Sequence, residues 1–158
     1  MRMLRQCFFL PTIALILLAS ISCRKWDKLD TSPGITLSFS TDTVFFDTVF
    51  PTVGSVTQKL VVNNHHDNKI IVSSVRLAGG NASSYRINID GIPAISASDV
   101  EIPGHDSIFV FVRVTIDPHN ESTPYVVSDS IEFTTNGTLQ RVKPVSYTHL
   151  TLPTIYSV

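Results

Sequence analysis

Apolar and polar residues alternate with a period of two along most of this chain. The clearest case is 107–116, where Ile108, Val110, Val112, Val114 and Ile116 share one face and Phe109, Phe111, Arg113 and Thr115 the other. Side chains of an extended strand point alternately to its two faces, so this segment predicts a strand that buries one of them. Shorter segments of the same kind are 35–40, 43–50, 56–63, 70–77, 85–89, 100–103, 126–135 and 139–143. In 56–63, Leu60 and Val62 face one way and Lys59 and Val61 the other; in 126–135, Ile131 and Phe133 face inward. Turn-forming clusters separate the segments: 63–68, Gly79-Gly80-Asn81, Asp90-Gly91, Gly104-His105-Asp106, 117–120 and Asn136-Gly137. Asp-Gly and Asn-Gly tolerate the positive φ of tight hairpins. One segment changes phase: in 70–77 the apolar positions run Ile70, Val72, then Val75, Leu77. A slip of one residue reverses the face, which predicts a bulge between Val72 and Val75.

No stretch carries helical periodicity. About seven to nine short strands bury one face each most economically as two stacked antiparallel sheets, so the pattern predicts an all-β sandwich, with a closed barrel as the lesser alternative.

The amino terminus has a different pattern. Arg2 and Arg5 precede a run from Cys7 to Ala19 that is apolar except for Thr12, followed by Ser20-Ile21-Ser22-Cys23. The run is shorter than the roughly 20 apolar residues a bilayer span needs, and it has the order of a secretory signal. Small residues leading into a cysteine resemble a bacterial lipobox, although Ser20 stands where that pattern favours Leu. The resemblance implies a signal peptide at 1–22, cleavage before Cys23, and a lipid on Cys23. The plain alternatives are an ordinary secretory signal or an uncleaved anchor. Arg24, Lys25, Trp26 and Lys28 suit a position beside anionic headgroups, or equally a solvated linker over 23–34. The expected address is the cell envelope, lipid-anchored in the outer membrane. The cations after Cys23 do not match the acidic surface-export signal that some outer-membrane lipoproteins carry there.

Removing the signal leaves ten Lys and Arg against thirteen Asp and Glu, a net charge of −3. This excludes a nucleic-acid partner on electrostatic grounds. Cys23 is then the sole cysteine, so neither an internal disulfide nor a thiolate metal site is available. The region 35–143 must be held by apolar burial, and it is long enough for one domain.

The last residues resemble sequence of a separate origin. Val145-Ser-Tyr-Thr-His-Leu-Thr-Leu-Pro-Thr154 is the translation of a transposase sequencing adaptor in the frame GTC TCT TAT ACA CAT CTG ACG CTG CCG ACG. Ten consecutive matches leave little room for coincidence, and the adaptor's preceding bases also account for Pro144. Residues 144–158 are therefore expected to be adaptor-derived, and His149 carries no functional argument. The native strand reading stops at Lys143, which predicts a truncated last strand, an unpaired edge and a weak fold.

Several segments taken together resemble the immunoglobulin-like modules of bacterial envelope and ciliary proteins. They are Gly54-x-Val56 through Leu60-x-Val62-Asn63, Ile70-x-Val72-x-x-Val75-x-Leu77-x-Gly79, the Pro103-Gly104 turn, a Val-rich strand ending Asp117-Pro118, and Asp129-Ser-Ile-x-Phe133 before Asn136-Gly137. More closely, Leu37-Ser-Phe-Ser-Thr-Asp-Thr-Val-Phe-Phe-Asp-Thr-Val49 and Arg76-Leu-Ala-Gly-Gly80 resemble the amino-terminal region of long Bacteroidetes lipoproteins. The resemblance covers nearly all of 29–143. It implies an immunoglobulin-like antiparallel β-sandwich, often followed by right-handed β-helix repeats, with no catalytic residues and no cofactor to carry over.

Chemical constellations are sparse. His65-His66-Asp67 lacks a third ligand at a usable spacing, and adjacent strand histidines point apart. His105 and His119 sit in turns. Asp90, Asp99 and Asp117 do not form a calcium loop, and Gly79-Gly80-Asn81 precedes no helix, so it is a turn and not a phosphate cradle. No hydrolase nucleophile motif is present. A recurring triplet of Asp, hydroxyl and branched apolar residue occurs at Asp42-Thr43-Val44, Asp47-Thr48-Val49, Asp106-Ser107-Ile108 and Asp129-Ser130-Ile131. It resembles the Bacteroidetes O-glycosylation motif and implies acceptors at Thr43, Thr48, Ser107 and Ser130. A turn Asp entering an alternating strand yields the same triplet. Phe109 and Phe111 share the face opposite the Val-rich core and are expected to form an exposed apolar patch suited to contact with a following domain.

The sequence thus predicts a lipid-anchored envelope protein with a non-catalytic immunoglobulin-like spacer or adhesion module. Its expected partners are the membrane through Cys23, downstream domains of the same chain, and a protein or glycan. Two rival readings are the leading piece of a carbohydrate-handling lipoprotein and an assembly module that pairs an exposed strand edge.

Overall fold

The computed structural model describes residues 28–49, 57–116 and 126–148. Their strands form two sheets packed face to face, the immunoglobulin-like sandwich that the alternating pattern predicts. The first sheet has the order β1 (Ser38–Phe39), β3 (Gln58–Asn63), β8 (Ser107–Val114), β5 (Tyr85–Ile89), β6 (Ile92–Ala94). The second has the order β2 (Thr43–Phe45), β11 (Thr138–Tyr147), β10 (Ile131–Thr135), β4 (Ile70–Leu77), β7 (Ser96–Ile102), and β9 (Val126–Ser128) also pairs with β11.

The inward positions are those read from the sequence. Leu60, Val62, Val110, Val112 and Val114 of the first sheet are fully buried against Val72, Val75, Ile131, Phe133 and Val142 of the second. Each such side chain contributes about 1.5–3 kcal/mol by leaving water. Two aromatic contacts bridge the layers: Phe39 to Phe133 at 4.9 Å between ring centres, and Phe46 to Tyr85 at 5.7 Å. Asp90 and Gly91 have φ of 48° and 89°, and Asn136 and Gly137 of 46° and 82°. Both pairs therefore make the hairpin turns their residue types demand.

The predicted bulge is in place. Thr134 faces Ser74 but Thr135 faces Val72, which leaves Ser73 as the extra residue of β4. Ser73 Oγ donates to Thr134 O at 2.9 Å. The bulge lets Val72 and Val75 both point inward.

Three expectations need correction. Eleven strands are seen among the described residues where about seven to nine were expected. The segment 126–135 is two strands in one register: Val145 faces Ser128, and Val142 faces Ile131. The break falls opposite Pro144, which accepts from the Asp129 N–H at 3.3 Å but has no N–H to return. β6 and most of β7 were unforeseen, because Ile92-Pro93-Ala94 is too short and Ser96-Ala-Ser-Asp too polar to alternate. The sandwich is also not purely antiparallel: β2 runs parallel to β11. Finally, β11 does not stop at Lys143. Val145, Ser146 and Tyr147 pair with β9, and Val145 also with β2, so that edge is occupied. Ladder bonds come from the backbone and accept almost any side chain, including those of the adaptor-like segment. The inward positions beyond Pro144 are nonetheless polar, with Ser146 and Thr148 fully buried.

One polar side chain ties the turns at one end of the sandwich. Asn64, 1% exposed, sends its Nδ2 to the carbonyls of Asn68, Ile102 and Pro103 at 2.9, 3.1 and 3.0 Å. Its Oδ1 accepts the His66 N–H at 2.9 Å. The turn 103–106 lies so close that a Cβ on Gly104 would come within 2.2 Å of Asp67 O. At the opposite end, the buried Tyr85 hydroxyl donates to Val127 O at 2.8 Å, with Ser146 Oγ at 3.2 Å. Burial, with the Asp129 charge nearby, raises its pKa above the ordinary 10.0.

Asn64→Ala removes a donor from three carbonyls, of which Pro103 O keeps the 3.3 Å bond from the Asp106 N–H, and should cost about 2–3 kcal/mol, read as a lower urea midpoint with unchanged slope. Because the folded-state pKa of Tyr85 is raised, its contribution is complete below pH 10 and is lost as pH climbs through the folded value. Tyr85→Phe should therefore be less stable at neutral pH but show a shallower alkaline decline in thermal melts.

Candidate functional site

Cys23, the predicted lipid site, lies outside the described residues, as do Asp117 and His119. The four predicted glycan acceptors lie in separate turns and strand starts. Thr48 is exposed, while Thr43, Ser107 and Ser130 are half-buried. In three of the four triplets the aspartate Oδ1 accepts the N–H of the following residue at 2.7 Å: Asp47 from Thr48, Asp106 from Ser107, and Asp129 from Ser130. In the fourth, the Thr43 N–H reaches Thr41 Oγ1 instead, at 3.2 Å. In these three triplets the carboxylate fixes the backbone where the chain enters a strand or, at Val49, an isolated bridge. Asp129 also accepts the Gly79 N–H at 3.0 Å, so Gly79-Gly80-Asn81 is a turn pinned by a carboxylate.

The three described histidines are loop residues. His105 Nε2 lies 2.7 Å from Asp67 Oδ1 on an exposed surface, His66 Nε2 is 3.3 Å from Thr36 O, and His65 is exposed. Asp90 and Asp99 occupy positive-φ positions in separate elements. Among the described residues no three His, Cys, Asp or Glu side chains gather as metal ligands.

The outer faces of the sheets carry the chemistry that the sequence reading passed over. On the six-stranded sheet, Glu132 of β10 directly faces Arg76 of β4 on one side and Arg141 of β11 on the other. Arg141 Nε donates to Glu132 Oε1 at 2.9 Å, and Arg76 Nη2 lies 2.7 Å from Oε2. The carboxylate is 8% exposed, whereas both guanidiniums are more than half exposed. The hydrogen bond from Arg141, helped by the charge of Arg76, outweighs desolvation and lowers the Glu132 pKa below 4.5.

The five-stranded sheet has a second arginine pair without a carboxylate. Arg86 of β5 and Arg113 of β8 are direct cross-strand partners. Arg86 Nη1 donates to two backbone carbonyls, Ser83 O at 2.5 Å and Tyr85 O at 2.6 Å. Arg113 makes no hydrogen bond or ion pair among the described residues. The two line a cleft of about 340 Å³ with Thr57, Asn88, Pro93 and Phe111, and the depression continues over Ala94 and Ile95. Asn88 Oδ1 is buried beneath this surface and has no hydrogen-bond partner among the described residues. Phe111 and Phe109 are 36% and 40% exposed with ring centres 6.4 Å apart, and Lys59 Nζ sits 5.1 Å from the Phe109 ring. The predicted apolar patch is thus present, with cations at its margins. Outward arginines near strand ends were the available signal for this site; only the β5–β8 register brings them together.

No family model matches the chain, and no curated protein sequence matches it. Solved structures do share its fold. A protein of unknown function from Porphyromonas gingivalis W83 aligns with a TM-score of 0.55 at 12% identity, over 78% of this chain and 51% of that one. A family 123 glycoside hydrolase from Clostridium perfringens aligns with a TM-score of 0.51 at 9% identity, over 74% of this chain and 28% of that one. The periplasmic chaperone SfaE aligns at 0.43 and 15% identity, over 75% of this chain and 61% of that one. The chain spans about half of the Porphyromonas protein and less of the hydrolase.

The Glu132 ladder makes a prediction of defined sign. A lowered folded-state pKa means that the stability it contributes is present above pH 4.5 and is lost as pH falls through the folded value. Glu132→Gln should cost about 1–2 kcal/mol at neutral pH and flatten the acid limb of a stability-versus-pH profile.

Proposed function

We propose that this chain is a lipid-anchored cell-envelope protein whose immunoglobulin-like module is a non-catalytic spacer or adhesion unit. The observation that carries this reading is where the chain enters and leaves the sandwich. Asn136, at the tip of the β10–β11 hairpin, donates to Asp30 O and Ser32 O at 3.0 and 3.1 Å, which places the incoming chain at that end. β11 then runs away from the tip, from Thr138 through Lys143 and on into the adaptor-like residues. At roughly 3.4 Å per residue the stretch to Lys143 alone carries the chain about 17 Å from the tip. A module traversed from one end to the other adds its full length between a tether and whatever lies beyond.

The signal pattern ending at Cys23 supports the tether. Two or three acyl chains on one residue anchor a protein stably where a single chain does not. Among the described residues no helix is long and apolar enough to cross a membrane.

Mature protein from a bacterial envelope fraction should begin at Cys23 and carry a diacylglyceryl mass on its amino-terminal peptide. Cys23→Ser should move the protein from the detergent phase to the aqueous phase without altering its melting temperature. A mature amino terminus elsewhere, or an unmodified Cys23 in membrane-bound protein, would overturn the reading.

A further inference from the structure

We infer that the cleft between β6 and β8 is a binding site for a carboxylate-bearing sugar. The inference does not depend on the anchor at Cys23. Like charges placed directly opposite on neighbouring strands destabilise a sheet. Among the described residues two arginine pairs lie on outer sheet faces, and the fold supplies a carboxylate to one of them. Arg76 and Arg141 flank Glu132 and share its carboxylate. Arg86 and Arg113 are direct neighbours with no strand between them and no carboxylate against them among the described residues. An outside carboxylate would complete the second pair as Glu132 completes the first. Guanidinium groups take a carboxylate through paired N–H donors, which gives direction as well as charge.

The rest of the cleft selects the body of the ligand. Phe111 and Pro93 give it apolar walls, and an aromatic face suits the C–H side of a sugar ring. Thr57 contributes a hydroxyl suited to ring hydroxyls. The volume, about 340 Å³, lies at the low end of the roughly 300–1,000 Å³ typical of small-molecule sites. This fits a short ligand, and the open rim would let a chain of sugars continue over Ala94 and Ile95.

The test is a titration of the full chain with glucuronate, followed by calorimetry and by NMR of the arginine side-chain N–H groups. Glucose, inorganic phosphate and an Asp-Glu dipeptide serve as parallel arms. Saturable glucuronate binding is expected, weakened by salt, shifting the Arg113 resonance, and about tenfold or more weaker in Arg113→Gln. Glucose should bind far more weakly. Without ligand and at low salt, Arg113→Gln should melt about 1–4 °C higher, because the like-charge pair is relieved. The absence of saturable binding overturns the site. Phosphate bound as tightly as glucuronate would show a general anion site, and the dipeptide bound as tightly would show a peptide site; either overturns the sugar assignment. Unchanged affinity in Arg113→Gln overturns the role of the pair, and an unchanged or lower melting temperature overturns its strain.

Discussion

The second sheet depends on β11, because a single strand must satisfy partners on both of its edges. One edge of β11 serves β10 and then β9, and the other takes β2 in parallel. These bonds lie between backbone groups, so the identity of the residues matters less than their being extended and in register. The Gln140 side chain extends the same logic across the layers. Its amide accepts the Leu37 N–H at 2.7 Å and donates to Leu37 O at 3.0 Å, so a side chain stands in for one more peptide. The chain can then leave β1 in one sheet and join β2 in the other. Ser40 and Thr41 hold that crossing, with Ser40 Oγ accepting the Val61 N–H and Thr41 Oγ1 donating to Thr43 O.

The parts of this fold that were legible in the sequence are those governed by local rules. Period-two alternation gave the inward residues of β3 and β8, the phase slip gave the bulge at Ser73, and Asp90-Gly91 and Asn136-Gly137 gave two hairpins. What was not legible depends on partners distant in sequence. Pro144 interrupts the pairing of 126–135 only because it lies opposite Asp129, a relation set by register. β7 has little alternation to read, since only Ala97, Val100 and Ile102 turn to the core and the positive-φ Asp99 breaks their period. The parallel union of β2 with β11 carries no local signature at all.

The same division applies to the surface chemistry. The Asp-hydroxyl triplets were visible as a repeat, and the structure gives three of them a common local job: a carboxylate receiving the next N–H. The arginine clusters were invisible because their members are separated by 27 residues in one case and 65 in the other, as the numbers of Arg86 and Arg113 and of Arg76 and Arg141 show. Only Glu132 distinguishes the two clusters. A carboxylate on the strand between two guanidiniums closes the ladder and leaves it one net positive charge, whereas without it both charges face solvent.

The parallel pairing of β2 and β11 has a mechanical consequence. The incoming chain and the outgoing strand lie side by side and leave the module at opposite ends. Tension between those ends therefore acts along both strands, across the direction of the hydrogen bonds that join them. Bonds loaded in shear share the force and must fail together, whereas an antiparallel hairpin pulled from its open end yields one bond at a time. The strand pair that closes this sheet is thus also arranged to resist being drawn out under load.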